Sequence, residues 1–293
     1  MSKILVTGAR GFIGRALVHR LKAQGQDVVP VDSADGDIAS RETLAKLEQE
    51  NIAHIFHLAG KTFVPDSWDD PQAFCQTNVL GTINVLEFCR KSRIPITYAS
   101  AYVYGHPDSL PIGESSAIRP SNPYALTKRL AEEVCEFYAS SYDLPVTTIR
   151  PFNVYGIGQT ENFLIPEIIK QTLDDGEEIV VKDLAPRRDY VYLEDLVTAL
   201  LATLDKPDGY RVYNIGAGVS LSVQEAIDTI QKIAGTNKKV VCDNAIRANK
   251  LMDVVADISK AGKELGWHPR FSFHAGIENI IRSEREKRRY EQT

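Results

Sequence analysis

The sequence predicts an α/β protein built on a doubly wound parallel sheet, with a smaller C-terminal α/β part. Three observations carry this reading. Short β-branched runs alternate with helical stretches through the first half, a glycine-rich turn joins the first run to the first helix, and the rhythm loosens after residue 150. Strands that alternate with helices need crossovers, and right-handed crossovers cover a parallel sheet on both faces.

The elements follow in order. Ile4-Leu5-Val6 is the first strand, and Phe12 to Gln24 has helical periodicity. Val28 to Val31 is the second strand, Arg41 to Glu50 a helix and Ile55 to Leu58 a strand. Phe74 to Lys91 reads as one long helix, Ile96 to Ala99 as a strand, Pro123 to Tyr142 as another long helix and Val146 to Ile149 as a strand. Gly156 to Asn162 is polar and loop-like. Beyond it, Pro166 to Asp174, Leu193 to Leu204 and Val223 to Ala234 are helical, and Ile179 to Val181 and Val212 to Ile215 are strands. The simplest division is a nucleotide-binding domain over residues 1–150 and a smaller C-terminal region over 151–293, with segments near 188–215 returning to the first.

Composition narrows the class. The 293 residues are 43% hydrophobic and 25% charged, which excludes disordered, collagenous and coiled-coil chains. The net charge of −5 argues against a nucleic-acid binder that relies on a basic surface. The basic run Arg282 to Arg289 is interleaved with Glu284 and Glu286 and reads as a solvated helix face. No run approaches the ~18 apolar residues of a membrane span. The apolar stretch after Met1-Ser2-Lys3 is too short for a signal-peptide core, so a cytoplasmic protein is expected. Cys75, Cys89, Cys135 and Cys242 lack metal-ligand spacing, so buried free thiols and no metal site are expected.

Gly8-Ala9-Arg10-Gly11-Phe12-Ile13-Gly14 follows the first strand and opens the first helix. Gly8 permits the tight turn, Gly11 lets backbone approach a pyrophosphate, and Gly14 lets helix and strand pack closely. The positive end of the helix then faces the phosphates. Asp32 ends the second strand, where an acid accepts both ribose hydroxyls and favours NAD over NADP. Arg10 pulls the other way if its guanidinium meets a 2′-phosphate, and is otherwise a solvated turn residue. Asp37-Ile38 is placed at the end of a short third strand, where Asp37 either bonds the adenine amino group or caps a helix.

Tyr124 and Lys128 lie four residues apart at the start of a helix, on one face. An ammonium beside the phenol favours phenolate and lowers the tyrosine pKa, which suits acid/base work on a hydroxyl. Ser100 sits just past the strand Ile96–Ala99, at the edge where open α/β sheets bind ligands.

With these residues in place, the chain resembles the extended short-chain dehydrogenase/reductase superfamily, in its nucleotide-sugar epimerase/dehydratase/reductase branch. The likeness runs nearly end to end. It includes Gly8–Gly14, His57-Leu58-Ala59-Gly60, Asn78-Val79-Leu80-Gly81-Thr82, Ser100-Ala101-Tyr102-Val103-Tyr104-Gly105, Tyr124-x-x-x-Lys128, Arg150-Pro151-Phe152-Asn153-Val154-Tyr155-Gly156, Arg188-Asp189-Tyr190-Val191-Tyr192, Ala256-Asp257 and Leu265-Gly266-Trp267. The resemblance implies a Rossmann-type domain, a bound nicotinamide dinucleotide also touched by Leu58, Ala59 and Gly60, and a nucleoside-diphosphate sugar as substrate. It also implies a homodimer formed through the helices of Asn78-Val79 and Tyr124–Lys128. By the same resemblance, Tyr124 is the acid/base, Lys128 binds the nicotinamide ribose, Ser100 shares the reacting oxygen, and Asn153, Arg188 and Arg247 hold the substrate's nucleotide and diphosphate.

Departures from the pattern narrow the reaction. Sugar 4,6-dehydratases carry an acid pair where this chain has Ala101 and Tyr102, which disfavours dehydration. The expectation is therefore a 4-epimerase that removes and returns a hydride at C4 through bound NAD. The Asp32–Asp37 segment is short, as in 4-keto-sugar reductases, so an NAD(P)H-dependent 4-reductase of an NDP-4-keto-6-deoxyhexose is the alternative. Retention of Ser100, Tyr124 and Lys128 argues against a non-catalytic dinucleotide-sensing regulator on the same fold.

Overall fold

The computed structural model describes residues 2–205, 208–242 and 251–291. In chain order the elements are β1 (Lys3–Thr7), α1 (Phe12–Ala23), β2 (Val28–Val31), α2 (Arg41–Ala45), β3 (Ile52–His57), α3 (Val64–Asp69), α4 (Pro71–Cys75), α5 (Gly81–Ser92), β4 (Ile96–Ala99), α6 (Pro123–Tyr142), β5 (Val146–Pro151) and β6 (Asn153–Tyr155). They continue with α7 (Leu164–Leu173), β7 (Glu178–Val181), β8 (Arg187–Tyr192), α8 (Leu193–Leu201), β9 (Tyr210–Ile215), β10 (Ser220–Ser222), α9 (Val223–Ala234), β11 (Lys239–Cys242), α10 (Ser259–Leu265) and α11 (Phe273–Glu291).

Alternation along the strands builds three layers. Leu5 of β1 packs with Val85 and Leu86 of α5 and with Ala131 and Cys135 of α6. Its neighbours Ile4 and Val6 point the other way, onto Leu17 and Leu21 of α1 and Leu196 and Leu200 of α8. A period of two sends successive side chains to opposite faces, so both faces of the sheet need apolar cover. The six strands run parallel in the order β2-β1-β3-β4-β5-β9. The chain leaves β1 for β2 on one side and returns across β1 to β3, so a crevice opens at the carboxyl ends of β1 and β3.

A second group of elements lies beyond β5. β8 pairs with β6 in parallel and with β10 antiparallel, and β7 pairs with β11. Ile168 of α7, Ile227 and Ile230 of α9 and Ile277 of α11 form their shared core. The segment expected to return to the first domain is split. β8 belongs to this small sheet, whereas α8 packs with α1 and β9 forms the edge of the central sheet.

Several expectations need correction. Asp37-Ile38 is not strand: the Asp32 and Asp37 carboxylates accept the amides of Ala34 at 2.8 Å and Ala39 at 2.9 Å, so side chains form turns where a ladder was expected. The helix from Arg41 stops at Ala45, because the amides of Leu47 and Glu48 bond to carbonyls three residues back. The long helix from Phe74 is broken by a π-helical turn over Gln76–Leu80 between α4 and α5. Cys75, just before that turn, is exposed rather than buried; Cys89 and Cys135 are buried. The basic face of α11 is partly engaged, since Arg288 donates to the Leu173 carbonyl at 2.8 Å.

Candidate active site

The crevice at the β1/β3 junction measures about 630 Å³ and is lined by the Gly8–Gly11 turn, Asp32, Asp37, Ile38, Ala59, Gly60, Lys61 and Thr77. Gly8 takes a φ of +68°, and a Cβ there would lie 2.7 Å from the Ala59 nitrogen. A Cβ on Gly14 would lie 2.1 Å from the Gly8 carbonyl oxygen. Side chains at either glycine would part α1, the turn and the Leu58–Gly60 loop. Gly11 caps α1 without a side-chain hydrogen bond, and the first turn holds no acid, so the positive end of α1 faces the crevice wall unscreened by its own side chains. These features fit the pyrophosphate of a dinucleotide.

Asp32 and Arg10, expected to act on opposite sides of the NAD/NADP question, are paired. Arg10 Nε lies 2.8 Å from Asp32 Oδ2. The Arg10 side chain is 71% exposed, whereas that of Asp32 is 11% exposed. The acid is fixed and the cation stands in solvent.

The floor of the crevice is a buried hydrogen-bonded chain. The Ala59 amide donates to the Thr7 hydroxyl at 3.2 Å, and Thr7 meets His57 Nδ1 at 2.7 Å. His57 Nε2 meets the Thr82 hydroxyl at 3.0 Å, and Thr82 donates to the Asn78 carbonyl at 2.6 Å. Thr82 has its proton committed, so His57 must carry its proton on Nε2 and accept at Nδ1. Burial agrees, since desolvation, helped by the Lys128 charge, pushes the imidazole down to about 3.

Asn78 lies in the π-helical turn, which aims its side chain inward. Its amide accepts from the Lys61 nitrogen at 2.8 Å and donates to Thr127 of α6 at 2.9 Å. It thereby ties the crevice loop to the helix of Tyr124 and Lys128. Sequence reasoning quoted Asn78 without giving it a task and missed Lys61 and Thr77. None of the three had a signal of its own, since Gln76-Thr77-Asn78 is a polar stretch whose spacing marks no site.

Ser100 follows β4, and its amide donates to the Ile149 carbonyl at 2.8 Å. Its hydroxyl is buried and has no hydrogen-bond partner among the described residues. Buried hydroxyls are normally paired, so this one is suited to a ligand oxygen. Lys128 Nζ donates to the carbonyl of the adjacent Ala99 at 2.5 Å and lies 4.4 Å from the centre of the Tyr98 ring. Burial pushes Lys128 down to about 8, against the upward pull of Glu132. The ring of Tyr124 meets Phe74 edge-on at 6.4 Å. Its phenol is pushed above its ordinary value by burial. The expected net lowering is corrected: desolvation outweighs the help of the Lys128 charge, and the phenol stands above its ordinary value.

On the other side, Asn153 pairs in register with Tyr190, and its amide donates to the Asp189 carbonyl at 3.2 Å. Arg188 donates to the carbonyls of Arg187 at 2.8 Å and Leu251 at 3.0 Å, so part of its fork holds backbone. Between them Asp189 is fully buried and accepts the amides of Ala217, Gly218 and Ala256. Arg247 lies outside the described residues.

The known proteins agree with this geometry. The model of the NAD dependent epimerase/dehydratase family matches residues 4–216. The chain belongs to that family. It is 29% identical to a UDP-glucose 4-epimerase of Lactobacillus helveticus, over 95% of this chain and 94% of the relative. It is also 29% identical to a GDP-6-deoxy-D-mannose reductase of Pseudomonas aeruginosa, over 95% and 96%. Among solved structures, MoeE5 in complex with UDP-glucose and NAD superposes with a TM-score of 0.88 at 31% identity, covering 98% of this chain and 99% of that one. The chain is thus an NAD(P)-dependent enzyme of the nucleotide-sugar epimerase and reductase type.

Proposed function

We propose that the chain is an NAD-dependent 4-epimerase of a nucleoside-diphosphate hexose. The observation that carries this is the buried hydroxyl of Ser100, without a partner among the described residues, at the strand end where Lys128 also anchors. The bound nicotinamide ring supplies a reversible hydride acceptor. Ser100 orients the sugar's C4 oxygen, and Tyr124 removes and returns its proton. Lys128 binds the nicotinamide ribose, and its charge favours ionisation of Tyr124 as the proton leaves. Gly8 to Gly14 with Leu58, Ala59 and Gly60 hold the dinucleotide, while Asp32 receives its adenosine ribose. Asn153, Arg188 and Arg247 receive the substrate's diphosphate and nucleoside.

Where related 4,6-dehydratases carry acids, Ala101 is buried and Tyr102 donates its hydroxyl to the Gly105 carbonyl at 2.6 Å. Neither side chain can take a proton from C5, which keeps the chemistry at C4. The alternative, a 4-reductase of an NDP-4-keto-6-deoxyhexose, is favoured by exposed Arg10 and by the turns that replace a strand between Asp32 and Asp37. Mass spectrometry of nucleotides released from the denatured protein, with assays on UDP-glucose and UDP-N-acetylglucosamine, tests the reading. Retained oxidised NAD with epimerisation supports it. Stoichiometric loss of 340 nm absorbance with a 4-keto sugar, and no epimerisation, overturns it.

The same reading includes a homodimer. Leu80, Leu126 and Phe137, on the helical segments expected to pair, are each more than 40% exposed. A ~33 kDa particle in sedimentation at micromolar concentration would refute it.

A further inference from the structure

We propose that the buried pair of Glu132 and Arg150 is a positioning device for this chemistry: it locks the helix of Tyr124 and Lys128 against the strand-end loop of Ser100 and sustains the charge of Lys128. The inference rests on the epimerase reading for its catalytic consequence only.

Glu132 lies one helical turn beyond Lys128 and two beyond Tyr124, on the inner face of α6. Its side chain is wholly buried, and that of Arg150 on β5 is 3% exposed. The contact is a two-pronged fork, with Nε to Oε1 at 2.9 Å and Nη2 to Oε2 at 2.7 Å. The remaining end of the guanidinium turns away from the helix. Nη1 donates to the Tyr104 hydroxyl at 2.9 Å and to the Glu114 carbonyl at 3.2 Å. Tyr104 stands four residues after Ser100 and donates onward to Asn214 at 2.6 Å. One guanidinium therefore fixes α6 relative to the loop that begins at Ser100.

Burial of an ion pair is a poor way to glue a helix, because apolar side chains of the same volume do it at less cost. The cost has a use if the charge acts on a neighbour. From α6, Lys128 is faced by Tyr124, Glu132 and Cys135; from β4 by Tyr98; from β3 by His57. Burial holds Cys135 and Tyr98 protonated and His57 neutral. Among the described residues, Glu132 is thus the charged neighbour that favours the Lys128 ammonium. Glu132 is itself faced by Arg150 on β5, by Arg129 at 3.5 Å on α6 and by Tyr210 on β9.

Removal of either partner should move Lys128 in opposite directions, which structural damage cannot imitate. In protein labelled with [¹³C]lysine, the Lys128 Cε resonance is assigned with Lys128→Met and titrated. Glu132→Gln should lower the midpoint by about one pH unit, because it removes a nearby negative charge, and Arg150→Gln should raise it, because it removes the cation that offsets that charge. In the double variant, which buries no unpaired charge, the midpoint should fall between those of the single variants. Glu132→Asp keeps the charge and withdraws it from both cations; a smaller drop is expected. In turnover of UDP-glucose, Glu132→Gln should cut kcat about tenfold with KM and bound NAD little changed. Coincident midpoints in all these proteins overturn the proposal, as does Glu132→Asp with midpoint and kcat both unaltered. A wild-type protein that epimerises neither UDP-glucose nor UDP-N-acetylglucosamine and consumes NAD(P)H with a 4-keto sugar would overturn the epimerase reading while leaving the titration a valid test.

Discussion

Arg10 and Asp32 form an ion pair at 2.8 Å across the mouth of the cofactor crevice. The acid that favours ribose hydroxyls is thereby held by the cation that would favour a ribose phosphate. An exposed pair of this kind contributes about 0–1 kcal/mol to stability, so its weight falls on ligand choice.

Arg10→Ala should therefore leave NAD binding within about threefold and weaken NADP binding about tenfold, since a phosphate loses its counter-charge and a diol does not. Asp32→Ala should reverse the order by removing repulsion of the 2′-phosphate. Calorimetric titration of both proteins with NAD and NADP checks this. Equal losses for both cofactors in Arg10→Ala would show that Arg10 holds only the turn.

Ser100→Ala separates catalysis from folding. The Ser100 hydroxyl makes no hydrogen bond among the described residues, so removing it breaks none of theirs. The expected change in stability is under ~0.5 kcal/mol, while kcat at the sugar falls on the order of 10–100-fold. Urea unfolding and steady-state kinetics give the two numbers. A large stability loss with intact kcat would assign Ser100 to the scaffold.

The sheet and the cofactor crevice were legible because their signals are local. Ile4, Leu5 and Val6 alternate between two cores, and Gly8 and Gly14 sit where a Cβ would strike backbone. What the sequence concealed depends on distant partners. No window around Asn78 announces a π-helical turn, because the Lys61 loop and Thr127 that its side chain binds lie elsewhere in the chain. Asp37 looked like a strand end beside Ile38, but its carboxylate forms a turn on its own backbone. Tyr124 and Lys128 were paired from their spacing and Ser100 was placed by its strand end, but the direction of the Tyr124 shift came from burial, which spacing does not report.

Asp189 should be the most sensitive buried carboxylate for the fold around the small β10-β8-β6 sheet. Three amides converge on it, and asparagine would turn an amino group toward at least one of them. Asp189→Asn should cost about 2–4 kcal/mol. Burial raises the carboxyl from 3.8 to about 6. The folded state therefore binds the proton more tightly than the unfolded chain, and the penalty of the buried charge is full above pH 6 and gone below pH 3.8. The stability difference between wild type and Asp189→Asn, from urea melts, should widen between pH 7 and pH 4.5. A difference that narrows over that range would mean the charge is stabilising.

Lys128 sets stability against activity. Its amine falls from 10.5 to about 8, so the folded protein gives up this proton more readily than the unfolded chain. Below pH 8 both states carry the charge and the folded state bears the full cost of burying it. Between pH 8 and 10.5 the folded state sheds the proton first and that cost is relieved. Lys128→Met should then be more stable than wild type at pH 7, by roughly 1–2 kcal/mol once the lost bond to Ala99 is set against the desolvation. The gap should close as pH rises from 8 toward 10. The same variant should lose NAD on purification and most of its kcat, because the ammonium no longer meets the ribose or favours ionisation of Tyr124. Tyr124→Phe should lose kcat and keep its NAD. Urea melts at pH 7 and pH 10, with absorbance of the nucleotide released on denaturation, read both effects. A Lys128→Met protein less stable than wild type at pH 7, with full NAD content, would make Lys128 a structural residue of the helix.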